Sequence, residues 1–324
     1  MNNIKKIGLT ALASSLVATS VYAGEMSVAG SASFTMENYS GTDGGKSLSM
    51  GNQLTFTGGG EMDNGMNVSL SFVLDQGDNE TDTTAGAGTA PFDSHSIAVS
   101  SDAMGTITFA GEGASSAQNT IDGTAAGDLW DHSAWGITAA TATGGNKLTN
   151  ASAGKTLRWT LPSMVDGLAA DISYNGSSAG EEATVGYAFT YTGVEGLSLS
   201  YGAGEKGDTT AGTGGTEVTT MKASFAFGPV TAAMSINDYD NTSKSNQEQS
   251  SYNVSYSVSD ELSVSYGSET VDLTGTSTDA EFDKVSVSYT TGGLTLSASK
   301  TNADNVNHTA SEQSHWDLGL SFAF

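Results

Sequence analysis

The sequence predicts an all-β fold, a transmembrane antiparallel up-and-down β-barrel of about 16 strands. Stretches of roughly ten residues alternate between apolar and small or polar side chains, and none shows sustained helical periodicity. Short turns alternate with long connections rich in Gly, Thr and Asp. Short turns on one rim and long loops on the other are typical of transmembrane barrels.

The C-terminal segment shows the alternation most clearly. The large apolar residues of one face are Trp316, Leu318, Leu320, Phe322 and Phe324, and the positions between them are small or polar. Such a strand is about 26 Å long, which at a tilt of about 40° covers roughly 20 Å of an outer-membrane apolar band about 25 Å tall. Aromatic residues at both ends match the interfacial girdles of such barrels.

The other predicted strands follow the same pattern. They lie near residues 26–36, 48–56, 66–74, 97–99, 107–109, 157–161, 168–174, 185–191, 197–201, 221–227, 230–236, 252–258, 262–266, 285–289 and 294–298. Residues 76–92 and 267–281 are predicted to be long loops. A soluble β-sandwich, a secreted β-solenoid and an adhesin remain alternatives, although a sandwich of this composition would have a thin core.

The first residues are predicted to form an export signal. Lys5 and Lys6 precede a short apolar stretch, residues 7–17, and Ala23 supplies a small residue at the cleavage point. The stretch is too short for a transmembrane helix, which needs about 20 residues. We expect a cleaved signal peptide at 1–23 and a mature barrel at 24–324.

The charge balance excludes several classes of protein. The chain has 11 Lys and Arg, 36 Asp and Glu and no Cys, which gives a net charge of −25. Loss of Lys5 and Lys6 with the signal makes this −27. The absence of Cys excludes disulfides, thiolate metal sites and a Cys nucleophile. The negative charge argues against a nucleic-acid partner.

One connection is far longer than the others, at about residues 113–155. Loops of this length inside a compact domain are usually functional. Trp130 and Trp135 are candidate loop anchors, because two Trp side chains in one loop need a surface to pack against. We expect the loop to fold inward and narrow the lumen; an outward surface loop is the alternative.

Short motifs connect this pattern to a known family. Residues 102–107 read DAMGTI, residues 127–130 read GDLW, residues 157–163 read LRWTLPS, and the last residue is Phe324. Together with the barrel pattern over the whole mature chain, they resemble the general trimeric porins of Gram-negative outer membranes. More narrowly, the chain is similar to the alphaproteobacterial, Rhodobacter-type porins.

The resemblance implies an outer-membrane location and passive diffusion of ions and small polar solutes through a homotrimer whose third loop forms a constriction. It also implies contact with outer-membrane lipid and lipopolysaccharide. The C-terminal strand would be the signature read by the barrel-assembly machinery during biogenesis. The family usually sets a cluster of arginines against acidic loop residues, and this chain departs from that, because Arg158 is its only Arg.

The direction of the charged side chains can be predicted from strand alternation. Arg158, Lys222 and Lys284 fall between outward apolar residues, so they are expected to face the lumen. A charge facing lipid near the midplane would cost about 2–4 kcal/mol. The predicted constriction sets these three against Glu112, Asp122, Asp128 and Asp131. With so negative a chain, we expect weak cation selectivity.

The sequence offers residues for two other kinds of site. Asp75, Asp78, Glu80 and Asp82, or Asp238 with Asp240, offer oxygen ligands for a structural Ca²⁺, although neither set has EF-hand spacing and solvated acidic loops are the simpler interpretation. No other cofactor is expected. A protease- or lipase-like barrel would use Asp131 and His132, with Ser133 beside them, but adjacent residues seldom face one reaction centre. We therefore expect a protein that is not an enzyme.

Overall fold

The structure, a computed structural model, describes residues 26–40, 44–75, 94–112, 115–132, 135, 155–176, 183–206, 215–241 and 245–324. In these residues, sixteen antiparallel strands close into one barrel, in which neighbours in sequence are neighbours in space and the last strand pairs with the first. The predicted fold class and strand number are confirmed.

The strands run consecutively along the chain, with the long loop as the main interruption. Their bounds are β1 Met26–Ser40, β2 Gly45–Glu61, β3 Asn67–Asp75, β4 Ser94–Ser101, β5 Gly105–Glu112, β6 Thr156–Thr160, β7 Leu168–Asn175, β8 Thr184–Tyr191, β9 Leu197–Lys206, β10 Thr216–Phe227, β11 Val230–Asn241, β12 Gln247–Ser257, β13 Leu262–Leu273, β14 Ala280–Thr291, β15 Leu294–Asp304 and β16 Glu312–Ala323. Single 3₁₀ turns occur at Gln118–Thr120 and Val306–His308.

Large apolar side chains cover the outside of the barrel. On β16, Trp316, Leu318 and Phe322 are exposed, whereas His315 is buried on the inner face. Successive strand residues point to opposite faces of a sheet, so one alternation gives a lipid-facing apolar band and a polar interior. No helix among the described residues is long and apolar enough to cross a membrane.

The two rims of the barrel differ in their connections. One, which we call the turn rim, carries both ends of the described chain and turns of two to seven residues, from 292–293 to 161–167. At the turn between β2 and β3, Gly65 has a φ of +79°, and the side chain of Asn64 accepts a hydrogen bond from the amide of Met66 at 3.1 Å. The other connections begin and end at the opposite rim, which we call the loop rim.

The C-terminus closes the barrel against β1. Backbone hydrogen bonds join Gly30 and Phe324 in both directions, at 2.8 and 2.9 Å. A Cβ atom on Gly30 would lie only 2.5 Å from the Phe324 ring, so the glycine leaves room for the terminal aromatic side chain to lie over the seam.

The prediction of a long loop at 267–281 is wrong. β13 continues to Leu273 and β14 begins at Ala280, so the connection is only 274–279. In these strand ends the apolar residues are on the inner face instead of the outer one. Val271, Leu273 and Phe282 point inward and are fully buried. The outward apolar alternation that identifies a lipid-facing strand is therefore missing here. The signal peptide and the loop at 76–92 lie outside the described residues.

Candidate functional site

The described part of the long connection after β5, residues 115–132 and 135, folds into the barrel and is called the inner loop below. The Ala117 amide donates to Ser173 Oγ on β7 at 2.7 Å, and Gln118 Nε2 donates to Thr220 Oγ1 on β10 at 3.0 Å. Both wall residues face inward and are buried. The inner loop therefore lies against the inside of the wall and narrows the lumen, as expected.

A chain of hydrogen-bonded polar residues crosses four strands beneath the inner loop. Thr220 Oγ1 donates to Asn237 Oδ1 at 2.7 Å, and Asn237 Nδ2 donates to Gln249 Oε1 at 3.0 Å. Gln249 Nε2 then donates to Glu269 Oε1 at 2.8 Å. These four residues, called the polar belt, are all at most 1% exposed. Because each member supplies what its neighbour needs, the belt is a rigid platform.

Glu269 connects the polar belt to the inner loop. Its carboxylate accepts hydrogen bonds from Thr124 Oγ1 at 2.7 Å, from the Leu129 amide at 3.2 Å and from the Trp130 amide at 3.1 Å. With the Gln249 amide, that makes four donors to one buried carboxylate. A buried charge is tolerated only when it is well hydrogen-bonded, and here the loop itself provides most of the donors.

A tight turn within the loop directs those donors toward Glu269. The Thr124 amide donates to Asp128 Oδ1 at 2.9 Å, and the Asp128 amide donates back to Thr124 Oγ1 at 2.7 Å. Gly127 and Asp128 both have positive φ, at +90° and +53°. Gly tolerates this left-handed conformation freely and Asp more readily than most residues. The tight turn brings the following amides toward the wall.

Glycines on the wall allow the loop to approach. A Cβ atom on Gly202 of β9 would lie 2.7 Å from Cδ1 of Ile121, and one on Gly186 of β8 would lie 3.2 Å from Cβ of Ser116. Both glycines face inward and are buried. The inner loop therefore occupies space that any larger side chain on these strands would fill.

An apolar cluster holds the far part of the inner loop. It comprises Leu129 and Trp135 from the loop with Val271, Ala280, Phe282, Ala303 and Val306 from the wall near the loop rim. Trp135 is 2% exposed, lies 5.9 Å from the Phe282 ring and donates its indole N–H to the Leu129 carbonyl at 2.8 Å. Trp130 is partly buried against the same cluster. Both Trp side chains thus contact the apolar cluster between the loop and the wall, and their role as anchors stays a prediction.

Arg158 lies in a cleft between the inner loop and strands β3 to β6. The cleft has a volume of about 250 Å³, and its lining includes Ser71, Thr108, Ser115 and Thr120. Arg158 Nε lies 3.9 Å from Asp171 Oδ1 on β7. The positive charge of Arg158 thus has the carboxylate of Asp171 beside it.

Lys222 and Lys284 lie apart from Arg158. Lys222 donates from Nζ to the carbonyl of Gly123, so it holds the inner loop. Lys284 lines a second cleft of about 350 Å³ together with Asp128 and Asp131. The structure therefore places the three predicted cations apart from one another rather than in one constriction.

The second cleft carries an excess of negative charge. Among the described residues, four carboxylates line it, Glu37, Asp128, Asp131 and Asp317, against one ammonium, that of Lys284. His132 of the inner loop and His315 of β16 lie in the same cleft with their ring centroids 4.0 Å apart. Burial lowers the pKa of the His132 imidazole, although the nearby carboxylates, Glu37 first, act in the opposite direction.

The remaining predicted residues lie elsewhere. Asp122 accepts a hydrogen bond from Asn237 through its backbone carbonyl at 2.7 Å. Glu112 ends β5 and Asp75 ends β3, but their side chains lie outside the described part, as do residues Asp78, Glu80 and Asp82. Asp238 and Asp240 share an exposed face of β11, and Asp240 accepts from Asn246 at 2.5 Å. Calcium binding stays a hypothesis.

Sequence reasoning missed Glu269, which fixes the loop, and Asp171, which lies beside Arg158. It also missed three residues that line the acidic cleft: Glu37, His315 and Asp317. The available signal was position on the inner face, because Glu37, His315 and Asp317 alternate with outward apolar residues of β1 and β16. Their proximity to the loop could not be predicted, since it depends on the register across the seam, where Glu37 pairs with Asp317.

Comparison with known proteins relates the sequence to one family. A sequence profile of the Gram-negative porins matches residues 8–290. The chain belongs to the Gram-negative porin family. No curated protein matches the sequence.

The fold of this porin is shared with solved structures of low sequence identity. The anion-selective porin from Comamonas acidovorans has a TM-score of 0.68 at 14% identity, covering 93% of this chain and all of that one. OmpT of Vibrio cholerae has a TM-score of 0.68 at 11% identity, covering 93% of this chain and 98% of that one. A mutant of the Rh. blastica porin has a TM-score of 0.64 at 17% identity, covering 93% of this chain and 100% of that one. The likeness to Rhodobacter-type porins holds in the fold, and the family supports an outer-membrane location.

Proposed function

We propose that this porin is a passive diffusion channel for ions and small hydrophilic solutes, with its width set by the inner loop. The observation that carries the proposal is the attachment of the loop to the inner wall through Glu269. A loop fixed inside the lumen limits solute size without closing the barrel, as a water-filled channel requires. Nothing in this mechanism calls for a catalytic residue, and we propose that the protein is not an enzyme.

We further propose weak cation selectivity. Support comes from the described lining of the second cleft, where four carboxylates face one ammonium, while Arg158 has Asp171 beside it at the first cleft. Fixed negative charge in a narrow aqueous passage raises the local concentration of cations. The Comamonas acidovorans porin of the same fold is described as anion-selective, so the fold alone does not support either sign, and the proposal rests on the lining charges.

The test is the reversal potential of the purified protein in a planar bilayer under a KCl gradient. We expect a potential of the sign for cation preference, and Asp131→Asn should lower the cation-to-anion permeability ratio by about 2–5-fold, the effect of a unit charge at 4–8 Å in water. The matched control is Asp272→Asn, because Asp272 is exposed on β13 and points away from the lumen. An anion preference in the native protein would refute the proposal.

We propose a homotrimeric assembly, an export signal at 1–23 and insertion by the barrel-assembly machinery into a membrane rich in lipopolysaccharide. Support comes from the family resemblance and from the exposed apolar band, whose terminal residue Phe324 lies over the seam. Mass measurement of the native protein in detergent tests the first two points. The expected mass is that of three chains, each comprising residues 24–324. A monomer, or a mass that retains these residues, would contradict the corresponding point.

The hydrolytic alternative rests on Asp131, His132 and Ser133. In the structure His132 lies 5.8 Å from the Trp135 ring and 4.0 Å from the His315 ring, and Ser133 lies outside the described residues. Substituting His132 by Ala discriminates between the two functions. We expect unchanged conductance in metal-free buffer and no loss of any hydrolytic activity.

A further inference from the structure

Three potential metal ligands from distant parts of the chain meet in the acidic cleft. Glu37 lies on the inner face of β1, His315 on the inner face of β16, and His132 on the inner loop. One ligand atom from each lies within 4.8 Å of the others. We call this set the seam triad, because β1 and β16 form the closing seam of the barrel.

We infer that the seam triad is a binding site for a divalent transition-metal ion, with Zn²⁺ as the reference ion. Two imidazoles and one carboxylate are a common ligand set for zinc, which leaves a fourth position for water or a solute. Ligands at about 2.0–2.1 Å from zinc are roughly 3.4 Å apart in a tetrahedron, so small side-chain rotations suffice. The Glu37 Oε1 to His132 Nε2 distance is already 3.8 Å.

A second observation indicates a ligand at this place. His315 is 4% exposed, and its Nε2 has no hydrogen-bond partner among the described residues. Leaving a buried polar atom without a partner is energetically unfavourable. A bound metal ion would provide a partner for such a ring nitrogen. Trp135 at 6.2 Å and Tyr39 at 6.3 Å flank the ring and restrict its position.

The surrounding charge favours a cation. Asp128, Asp131 and Asp317 line the same cleft, and Lys284 is its one ammonium in the described lining. The imidazoles distinguish this site from a calcium site, because Ca²⁺ prefers six to eight oxygen ligands, whereas imidazole suits zinc, copper and nickel. The triad is therefore expected to select borderline transition metals over Ca²⁺ and Mg²⁺.

Occupancy would have a structural consequence. The ion would join the inner loop, through His132, to both strands of the seam. It would also place two positive charges beside Asp131 and Asp317, which lowers the field that attracts cations to this cleft. We expect Zn²⁺ to reduce both cation selectivity and the movement of the loop.

The test is titration of the folded, metal-free porin in detergent with ZnCl₂ by isothermal calorimetry. We expect one Zn²⁺ per chain, unaffected by excess Ca²⁺. His132→Ala and His315→Ala should each weaken binding at least about tenfold, because even the loss of a residue that only orients a ligand costs 10–100-fold. His95→Ala is the matched control, since His95 on β4 lies outside the triad.

Binding is measured without reference to conduction, so its failure is distinct from failure of the channel function. No Zn²⁺ uptake by the native protein would overturn the inference, and so would equal binding by all three His variants. Each variant is first checked for the heat-dependent gel mobility of a folded barrel. His132 is not in a strand, so its variant should fold even if the His315 variant does not.

Discussion

Removing the carboxylate of Glu269 should release the middle of the inner loop. The side chain is 1% exposed and accepts four hydrogen bonds, three of them from the loop residues Thr124, Leu129 and Trp130. Glu269→Ala would leave all four donors without this acceptor. The barrel should persist, because its strands are held by the backbone ladder rather than by this side chain.

The magnitude follows from the hydrogen bonds. Each bond to a charged acceptor contributes about 1.5–3 kcal/mol, but lumen water can satisfy the freed loop donors. A net loss of about 3–4 kcal/mol in the free energy of loop attachment is expected, equivalent to about two such hydrogen bonds. Since 1.4 kcal/mol is tenfold, the population with a detached loop should rise by about two to three orders of magnitude.

Glu269→Gln provides a graded comparison. Oε1 accepts from Trp130 and Gln249, whereas Oε2 accepts from Thr124 and Leu129. An amide keeps one accepting oxygen and replaces the other with a donor, so this variant should lose about half of the attachment. Glu281→Ala is the control, because Glu281 is exposed on β14.

The assay is single-channel conductance with polyethylene glycols of increasing size. Glu269→Ala should show a noisier and larger conductance and admit larger polymers, Glu269→Gln should be intermediate, and Glu281→Ala should match the native protein. A folded Glu269→Ala variant with native conductance and native size limit would refute the proposal that this residue attaches the loop.

Three other changes test separate parts of the structure. Gly202→Val should push the loop away, because even a Cβ atom would lie 2.7 Å from Ile121 Cδ1, and polymer exclusion should show a wider lumen. Arg158→Gln should raise the cation-to-anion permeability ratio by about 2–5-fold at low salt, measured as reversal potential; an unchanged ratio would place Arg158 away from the ion path. Gly30→Val should displace the Phe324 ring and lower the yield of folded barrel, read from heat-dependent gel mobility, and a native yield would contradict the packing described at the seam.

The lipid-facing part of the barrel could be predicted from sequence because lipid imposes one rule on every strand. Apolar residues must alternate outward, so Trp316 and Leu318 identify β16 without knowledge of its neighbours. The same rule fails at Val271 and Phe282, which face inward to the loop. Above the lipid band, apolar residues mark contact with the loop rather than with the membrane.

The inner loop shows a second limit of sequence reasoning. Its length and its two Trp residues predicted that it is anchored, but not where. Its attachment depends on single residues such as Glu269, which looks like any other acidic residue in a chain with 36 of them. What distinguishes Glu269 is its place beside Gln249 on the polar belt and beneath the loop amides, and that place follows only from the register of β12 and β13.

The inner loop is held by two attachments that depend on different physical forces. Glu269 acts through charge and hydrogen bonds, which lumen water can replace, whereas Trp135 acts through apolar burial, which water opposes. Loss of Glu269 should therefore free the segment around Thr124 while Trp135 remains fixed against Phe282. The loop would move about its anchored far part. A graded widening is expected rather than complete opening, and the acidic cleft beside Trp135 should keep its ion preference in that variant.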